Sequence, residues 1–299
     1  MSEVVMVTGG AGFIGRHLVK ALRERGHEVF SFDIREDPRY DITNYEILRK
    51  CVEAWKPDVV FHLAANPRVD VSFKDPLADL SINVLGTLNL LRALEGRPPR
   101  LVFISTAHVY GEPQYLPIDE RHPICPMSPY AISKYAAERY CLTYGRRHGI
   151  EVVVTRLFNT YGPGQNLGFV IPDLIHRLLE NPDRLVVYGT GEEVRDFVYV
   201  SDVVSALIKA MERGEEGECY NVGSGSGVSI SELVSLLIEA IGVRPREVVF
   251  TKKGGTGRPN AIIADISKAK RSLKWEPVVG LKEGLKRTVE SMREKFILR

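Results

Sequence analysis

The sequence predicts an α/β fold: a doubly wound parallel sheet followed by a smaller α/β domain. Short β-rich runs at 4–8, 28–33, 59–63, 101–105 and 152–157 alternate with segments at 14–25, 44–55, 77–95 and 130–148, whose apolar residues recur at helical spacing. Strands separated by helices form βαβ units, and these build a parallel sheet. The strand runs are apolar without alternation, as in Val59-Val60-Phe61, so both faces of the sheet are covered. From about Tyr161 the character changes. Gly162-Pro163-Gly164 opens a loop-rich stretch, then come a helix at 171–180, a strand at 184–188, a polar turn and a second apolar strand before a helix at 203–213. The remainder reads as shorter helices joined by Gly-rich loops. The expected division is residues 1–160 for the sheet domain and mainly 161–299 for the smaller one, with part of the chain recrossing to the first.

The 299 residues are 44% hydrophobic, which is enough for a sizeable core. Lys+Arg 40 against Asp+Glu 38 leaves a formal charge of only +2, so no electrostatic case arises for nucleic acid or a membrane surface as the main partner. The four cysteines (Cys51, Cys125, Cys141, Cys219) are scattered without CxxC spacing, and neither a metal site nor a disulfide framework is expected. No basic n-region precedes the first strand, and no apolar run approaches the roughly 20 residues of a membrane span. A cytoplasmic protein is the expectation.

Thr8-Gly9-Gly10-Ala11-Gly12-Phe13-Ile14-Gly15 follows a strand and opens a helix. This is the G-x-x-G-x-x-G turn of a Rossmann domain. Gly9 permits the tight turn, Gly12 lets backbone approach a pyrophosphate, and Gly15 lets the helix pack on the sheet. The amides at the helix start then receive phosphates. Asp33 ends the second strand, where a carboxylate accepts hydrogen bonds from the adenosine ribose and repels a 2′-phosphate, favouring NAD over NADP. Arg35 is the dissenting feature, since an arginine there would hold that phosphate.

Ser128-Pro129-Tyr130-Ala131-Ile132-Ser133-Lys134 places Tyr130 and Lys134 four residues apart. Proline suits the first position of a helix, so both side chains share one face. An ammonium beside a phenol favours the phenolate and makes Tyr130 a usable general base. Alone, such a pair is common by chance and reads as part of a surface helix. Thr106, at the carboxyl end of the fourth strand, changes the balance, because ligands of α/β sheets bind at such ends. Its hydroxyl is placed to share a substrate oxygen with Tyr130; its bland role is to cap the strand end.

Together these motifs resemble the extended short-chain dehydrogenase/reductase family, in particular its nucleotide-sugar epimerases and dehydratases. The resemblance covers nearly the whole chain. Besides the glycine motif with Phe13 and Ile14, it is carried by His62-Leu63-Ala64-Ala65, Asn83-Val84-Leu85-Gly86-Thr87, and Ile104-Ser105-Thr106-Ala107-His108-Val109-Tyr110-Gly111. It continues through Tyr130 and Lys134, Asn159-Thr160-Tyr161-Gly162-Pro163, and Arg195-Asp196-Phe197-Val198-Tyr199-Val200-Ser201-Asp202. The resemblance implies that Asp41 and Ile42 contact the adenine, that Leu63, Ala64 and Ala65 line the central groove of the cofactor, and that Asn83 supports it. It further implies that Asn159 meets the substrate diphosphate, that Val187 and Tyr188 pack against the nucleotide base, and that Arg195 binds the diphosphate with its bidentate fork. Arg258, in Gly257-Arg258-Pro259, resembles a second such arginine or is a surface-loop residue. The helices at 77–95 and 130–148 resemble the pair through which family members dimerise, so a homodimer is expected.

The resemblance implies a common first step, in which Tyr130 takes the proton of the sugar 4-hydroxyl while NAD⁺ takes the C4 hydride. Dehydratases of this family carry Asp-Glu directly after the active-site threonine, and decarboxylases carry Glu at the second of these positions. Here they are Ala107 and His108. A 4-epimerase needs neither acid, and UDP-glucose/UDP-galactose is the leading substrate pair. A 4,6-dehydratase or decarboxylase with a rearranged acid is the alternative, His108 being either that acid or a residue packed at the strand end. A non-catalytic NAD-binding sensor is the alternative of another class.

Overall fold

The structure, a computed structural model, describes residues 2–96, 98–251 and 259–297. Arg258 therefore lies outside the described residues. The first half runs β1 (Val4–Thr8), α1 (Phe13–Glu24), β2 (Glu28–Phe32), α2 (Tyr45–Trp55), β3 (Val59–His62), α3 (Val69–Lys74), α4 (Pro76–Leu80), a π-helical turn (Ser81–Leu85), α5 (Gly86–Ala93) and β4 (Arg100–Thr106). Next come a 3₁₀ turn (Ala107–Tyr110), α6 (Pro129–His148), β5 (Glu151–Leu157), β6 (Asn159–Tyr161), α7 (Val170–Glu180), β7 (Arg184–Val187), β8 (Val194–Tyr199), α8 (Val200–Arg213) and β9 (Cys219–Val222). The chain closes with β10 (Gly227–Ser229), α9 (Ile230–Ile241), β11 (Glu247–Phe250), β12 (Ala261–Ile262) and α10 (Leu281–Ile297).

Six strands in the order β2-β1-β3-β4-β5-β9 form an all-parallel sheet of Rossmann type. Alternate strand residues feed two cores, as a twofold side-chain period requires. Val5, Val7, Phe61 and Val102 pack with Leu18 and Leu22 of α1 and Val203 and Leu207 of α8. Met6, Val60, Leu101 and Phe103 pack on the other face with Leu48 of α2, Leu90 of α5 and Ala137 and Cys141 of α6. Because both faces are covered, the unbroken apolar runs are explained. The sixth strand, β9, comes from residues 219–222, so the chain returns to this sheet after leaving it.

The remaining elements surround a third core, in which Leu174 and Ile175 of α7, Leu233 and Leu237 of α9, and Leu285 of α10 meet. Here β8 is flanked by β10 and β12 and also pairs with β6, while β7 pairs with β11 away from the large sheet. Two expectations need correction. The helix at 77–95 is broken by the π-helical turn, which carries Asn83 inward to a polar cluster; such turns accompany functional sites. The tail also holds four short strands and a 17-residue helix, α10, rather than only shorter helices. Strands of two to four residues carry too few positions for a period to be read. Among the described residues no helix is long and apolar enough to cross a membrane.

Candidate active site

A cleft of about 600 Å³ opens at the carboxyl ends of the parallel strands and is closed on its far side by the smaller unit. Position follows from topology, since helices start where strands end and leave backbone donors facing the gap. Gly9, Asp33, Leu63 and Thr106 reach it from the ends of β1 to β4, and Asn159 and Arg195 face them from β6 and β8.

At the first strand end the chain turns through Gly9 with φ +74°, where a Cβ would sit 2.7 Å from the amide nitrogen of Ala64. A Cβ on Gly15 would strike the Gly9 carbonyl and lie 2.8 Å from the Gly10 Cα. Gly12 is the N-cap of α1, in extended conformation and with no side chain capping the helix, so the cap is left to backbone. The turn is thus a cradle that side chains would fill, next to the free amides and positive dipole end of a 12-residue helix. Phe13, Ile14 and Gly15 also line the cleft. Asp33 is buried at its rim, accepting from the Ala11 amide at 3.0 Å and the Arg35 amide at 2.9 Å. Each oxygen keeps a lone pair for a further donor. Arg35 lines the same corner and its guanidinium donates to the Ala11 carbonyl at 3.4 Å.

Asp41 and Ile42 line the cleft, but one Asp41 oxygen accepts from both the amide and the hydroxyl of Thr43, each at 2.8 Å, and so shapes its own turn. Leu63, Ala64 and Ala65 form the floor. Behind them the Thr8 hydroxyl bonds to His62 Nδ1 at 2.7 Å, and His62 Nε2 to Thr87 at 2.9 Å; burial pushes the imidazole down to about 3, so it stays neutral. Asn83 is the residue expected to support this groove. It is not in the lining but lies behind it, where its Oδ1 accepts from the Asn66 amide at 2.8 Å and its Nδ2 donates to Ser133 at 2.9 Å. Asn83 shapes the 64–66 loop from the back.

Tyr130 and Lys134 come from the first turns of α6. Pro129 starts that helix and the Ser128 hydroxyl caps it by accepting from the Ala131 amide at 3.2 Å. Both side chains line the cleft, and the Tyr130 phenol is hydrogen-bonded to Thr106. The Thr106 oxygen also accepts from the His108 amide at 3.3 Å and so caps the 3₁₀ turn that follows its strand. The electrostatics differ from the simple pairing expected. Burial pushes Tyr130 up to about 12; the bond to Thr106 works against this and the charge of Asp79 adds to it. Burial pulls Lys134 down to about 8, against the opposing effects of Cys141, Glu138 and Asp79, and its ammonium lies 4.4 Å over the Phe103 ring. In the protein alone, desolvation is the largest influence on both groups. Ala107 is buried in the lining beside Thr106, and the His108 ring stands edge-on to Tyr130 with centroids 6.1 Å apart.

On the opposite wall the Asn159 side-chain amide donates to the Asp196 carbonyl at 3.2 Å, leaving its oxygen directed elsewhere. Arg195 lines the cleft while donating to the carbonyls of Val194 at 2.8 Å and Asn260 at 3.0 Å. Tyr188 is 68% exposed and lies beneath the Arg177 guanidinium, 4.5 Å from its ring. Val187 does not belong to the lining: it ends β7 and is 1% exposed in the third core, whereas Tyr188 is the first residue beyond the strand. Sequence reasoning missed Arg68, which pairs with Asp70 at 2.6 Å and packs so closely on Gly168 that a Cβ there would meet it at 2.7 Å. It also missed Gln165, Phe169 and Asn260 in the lining. These sit on loops, and the sole sequence signal was the glycine at 168.

Comparison with known proteins adds the family. The profile described as the NAD dependent epimerase/dehydratase family matches residues 5–223. A Methanocaldococcus jannaschii protein named "Putative UDP-glucose 4-epimerase" is 39% identical, over 97% of this chain and 98% of that relative. The UDP-glucose 4-epimerase of Thermotoga maritima, solved with UDP-glucose, superposes with a TM-score of 0.91 at 37% identity, covering 98% of this chain and 99% of that one. The UDP-glucose 4-epimerase of Thermus thermophilus, solved with NAD, has a TM-score of 0.87 at 37% identity, covering 97% of this chain and 98% of that one. UDP-glucuronic acid decarboxylases and dTDP-glucose 4,6-dehydratases match as well. With NAD as the cofactor that the cradle of Gly9, Gly12 and Gly15 fits, the chain is an enzyme of the NAD-dependent epimerase/dehydratase family.

Proposed function

We propose that the protein is a nucleotide-sugar 4-epimerase, with UDP-galactose and UDP-glucose as its leading pair. The carrying observation is Ala107 and His108 beside Thr106 in the cleft wall. Elimination and decarboxylation both ask for a carboxyl group there. The four carboxylates among the described lining residues are engaged elsewhere: Asp33 by two amides, Asp41 by Thr43, Asp70 by Arg68, and Glu193 by the amides of Thr190 and Gly191 at 2.9 and 3.0 Å. When bound, NAD⁺ supplies a hydride acceptor that is restored at the end of each turnover.

The protein's own groups handle the proton. The Tyr130 oxygen takes it from the sugar hydroxyl at C4 and gives it back after the 4-keto sugar has turned over, while Thr106 holds the same substrate oxygen. Lys134 remains cationic near neutral pH and favours the transient phenolate. Gly9, Gly12 to Gly15, Asp33, Asp41, Ile42 and the 63–65 floor are assigned to the cofactor, with Asn83 supporting that floor from behind. Asn159, Tyr188 and Arg195 are assigned to the nucleoside diphosphate. A second reading, elimination or decarboxylation with His108 as acid, has in its favour the approach of that ring to Tyr130. Incubation with UDP-galactose and, separately, with UDP-glucuronic acid, no reductant added, separates the two: interconversion of UDP-galactose and UDP-glucose supports epimerisation, and a 4-keto sugar released from the first or carbon dioxide from the second supports the other.

The 161–299 segment, apart from the recrossing β9, is assigned to substrate. A homodimer through α4 and α6 is part of the same reading. Leu77 and Leu80 of α4, Leu85 of the π-helical turn, and Ile132 and Tyr140 of α6 expose apolar surface that pairing would bury. Sedimentation at micromolar concentration tests this, and a strict monomer contradicts it.

A further inference from the structure

Asp79 stands on α4, outside every motif considered above, and is fully buried. Its Oδ2 accepts from the Ser133 hydroxyl at 2.5 Å; its Oδ1 accepts from the side-chain amides of Asn83 at 3.2 Å and Asn66 at 3.3 Å. Burial raises the pKa of this carboxyl, and the three converging donors together with the Lys134 ammonium work against that and favour the ionised form. Ser133 is the residue before Lys134 and shares a helical turn with Tyr130, whose carbonyl oxygen lies 3.0 Å from the same hydroxyl. Asn66 follows Ala64 and Ala65 in the cleft floor, and its amide is held by Asn83. One carboxylate therefore ties the catalytic helix to the floor of the cofactor groove.

We propose that Asp79 is the fixed counter-charge of the Tyr130–Lys134 pair, a positioning residue that sets how readily the phenol gives up and regains its proton. The inference rests on Tyr130 acting as the proton carrier in the function proposed above. Its charge acts on both partners, disfavouring the Tyr130 phenolate and favouring the Lys134 ammonium. That bias suits a phenol which must return the proton it takes, since a phenolate stabilised too far would keep the substrate oxidised. Other ionisable groups face this cluster. On α6 these are Glu138 and Cys141, which act on Lys134; on β3 there is the neutral His62; next to β4 there is His108 against Tyr130. On α3, Asp70 is paired with Arg68 and Lys74 is exposed.

Asp79→Asn separates charge from shape. The new carbonyl oxygen accepts from Asn83 and Asn66, the new NH₂ donates to the Ser133 oxygen, and the Ser133 proton turns to the Tyr130 carbonyl. The readout is the tyrosinate absorbance of the NAD-loaded protein against pH, taken as the difference from Tyr130→Phe so that only Tyr130 contributes. Asp79→Asn is expected to move this transition to lower pH by about one unit, as loss of a nearby like charge does. Ser133→Ala, which removes the bond but keeps the charge, and Asp79→Glu are expected to leave it within a few tenths of a unit. Should Asp79→Asn not fold, the paired Asp79→Ala/Ser133→Ala protein removes carboxylate and donor together and is expected to show the same downward shift. An unchanged or upward transition in the charge-free variant overturns the proposal. So does an equal shift in Ser133→Ala. No sugar substrate enters this titration, so failure of the epimerase reading would leave its result standing, and failure of the titration would leave that reading intact.

Discussion

Arg156 on β5 and Glu138 on α6 form an ion pair beneath the active site, 6% and 1% exposed. The guanidinium donates to Glu138 Oε1 at 2.5 Å and Oε2 at 3.2 Å, and to the Tyr110 hydroxyl at 2.9 Å. The Ser105 hydroxyl donates to the same carboxylate at 2.7 Å, so the network reaches the residue before Thr106. Arg156→Met removes three hydrogen bonds and leaves Glu138 with Ser105 as its remaining partner in this network. Stranding one member of a buried pair costs about 3–5 kcal/mol, whereas exchanging both for apolar residues of similar size is close to neutral. We expect Arg156→Met to lose that amount in urea or guanidinium unfolding at unchanged m-value, and Glu138→Leu/Arg156→Met to recover most of it. A single-variant loss below about 1 kcal/mol, or a double variant no better than the single, would refute the assignment of this pair as a desolvated, mutually dependent unit.

Three further outcomes follow from the site. Tyr130→Phe should lower turnover by about 10²–10⁴-fold, the range for a lost general base, while NAD binding measured by calorimetry is retained; undiminished turnover would remove Tyr130 from the chemistry. Gly15→Ala places a methyl group against the Gly9 carbonyl and should weaken NAD binding at least about tenfold, roughly 1.4 kcal/mol, whereas an unchanged affinity would mean that the turn does not hold the cofactor. Lys134, pulled down from 10.5 to about 8, disfavours the fold whenever the unfolded chain binds its proton more tightly. Its cost is therefore full below pH 8 and is relieved as pH rises towards 10.5. Lys134→Met should then be inactive yet more stable at neutral pH, by up to about 3 kcal/mol, with the gain shrinking over that window. Unfolding midpoints at neutral and alkaline pH check this, and a less stable variant at neutral pH contradicts it.

The large sheet and its glycine turn were legible because each rests on a local rule. Val59-Val60-Phe61 could belong only to a strand covered on both sides, and a glycine at Gly15 has no substitute where a helix meets the carbonyl of Gly9. Tyr130, Lys134 and Thr106 were found from spacing and from where strands end. Long-range placement was not legible. Asp79 sits in an ordinary helical pattern, and its value comes from Ser133, 54 residues away in sequence. The π-helical turn that brings Asn83 inward leaves no mark on the periodicity of 77–95. Nor did spacing reveal that burial, rather than the neighbouring ammonium, governs the Tyr130 phenol in the protein alone. Val187 and Tyr188 show the limit at its smallest scale: of these adjacent residues, the last of β7 and the first beyond it, just one reaches the cleft.

The central claim is that the C4 hydride leaves the sugar and returns to the same carbon on its other face. UDP-galactose deuterated at C4 tests it directly. The expected product is UDP-glucose carrying the deuterium at C4, with NAD unchanged in amount and no reductant required. Net NADH, a stable 4-keto sugar, or product that has lost the deuterium would contradict it.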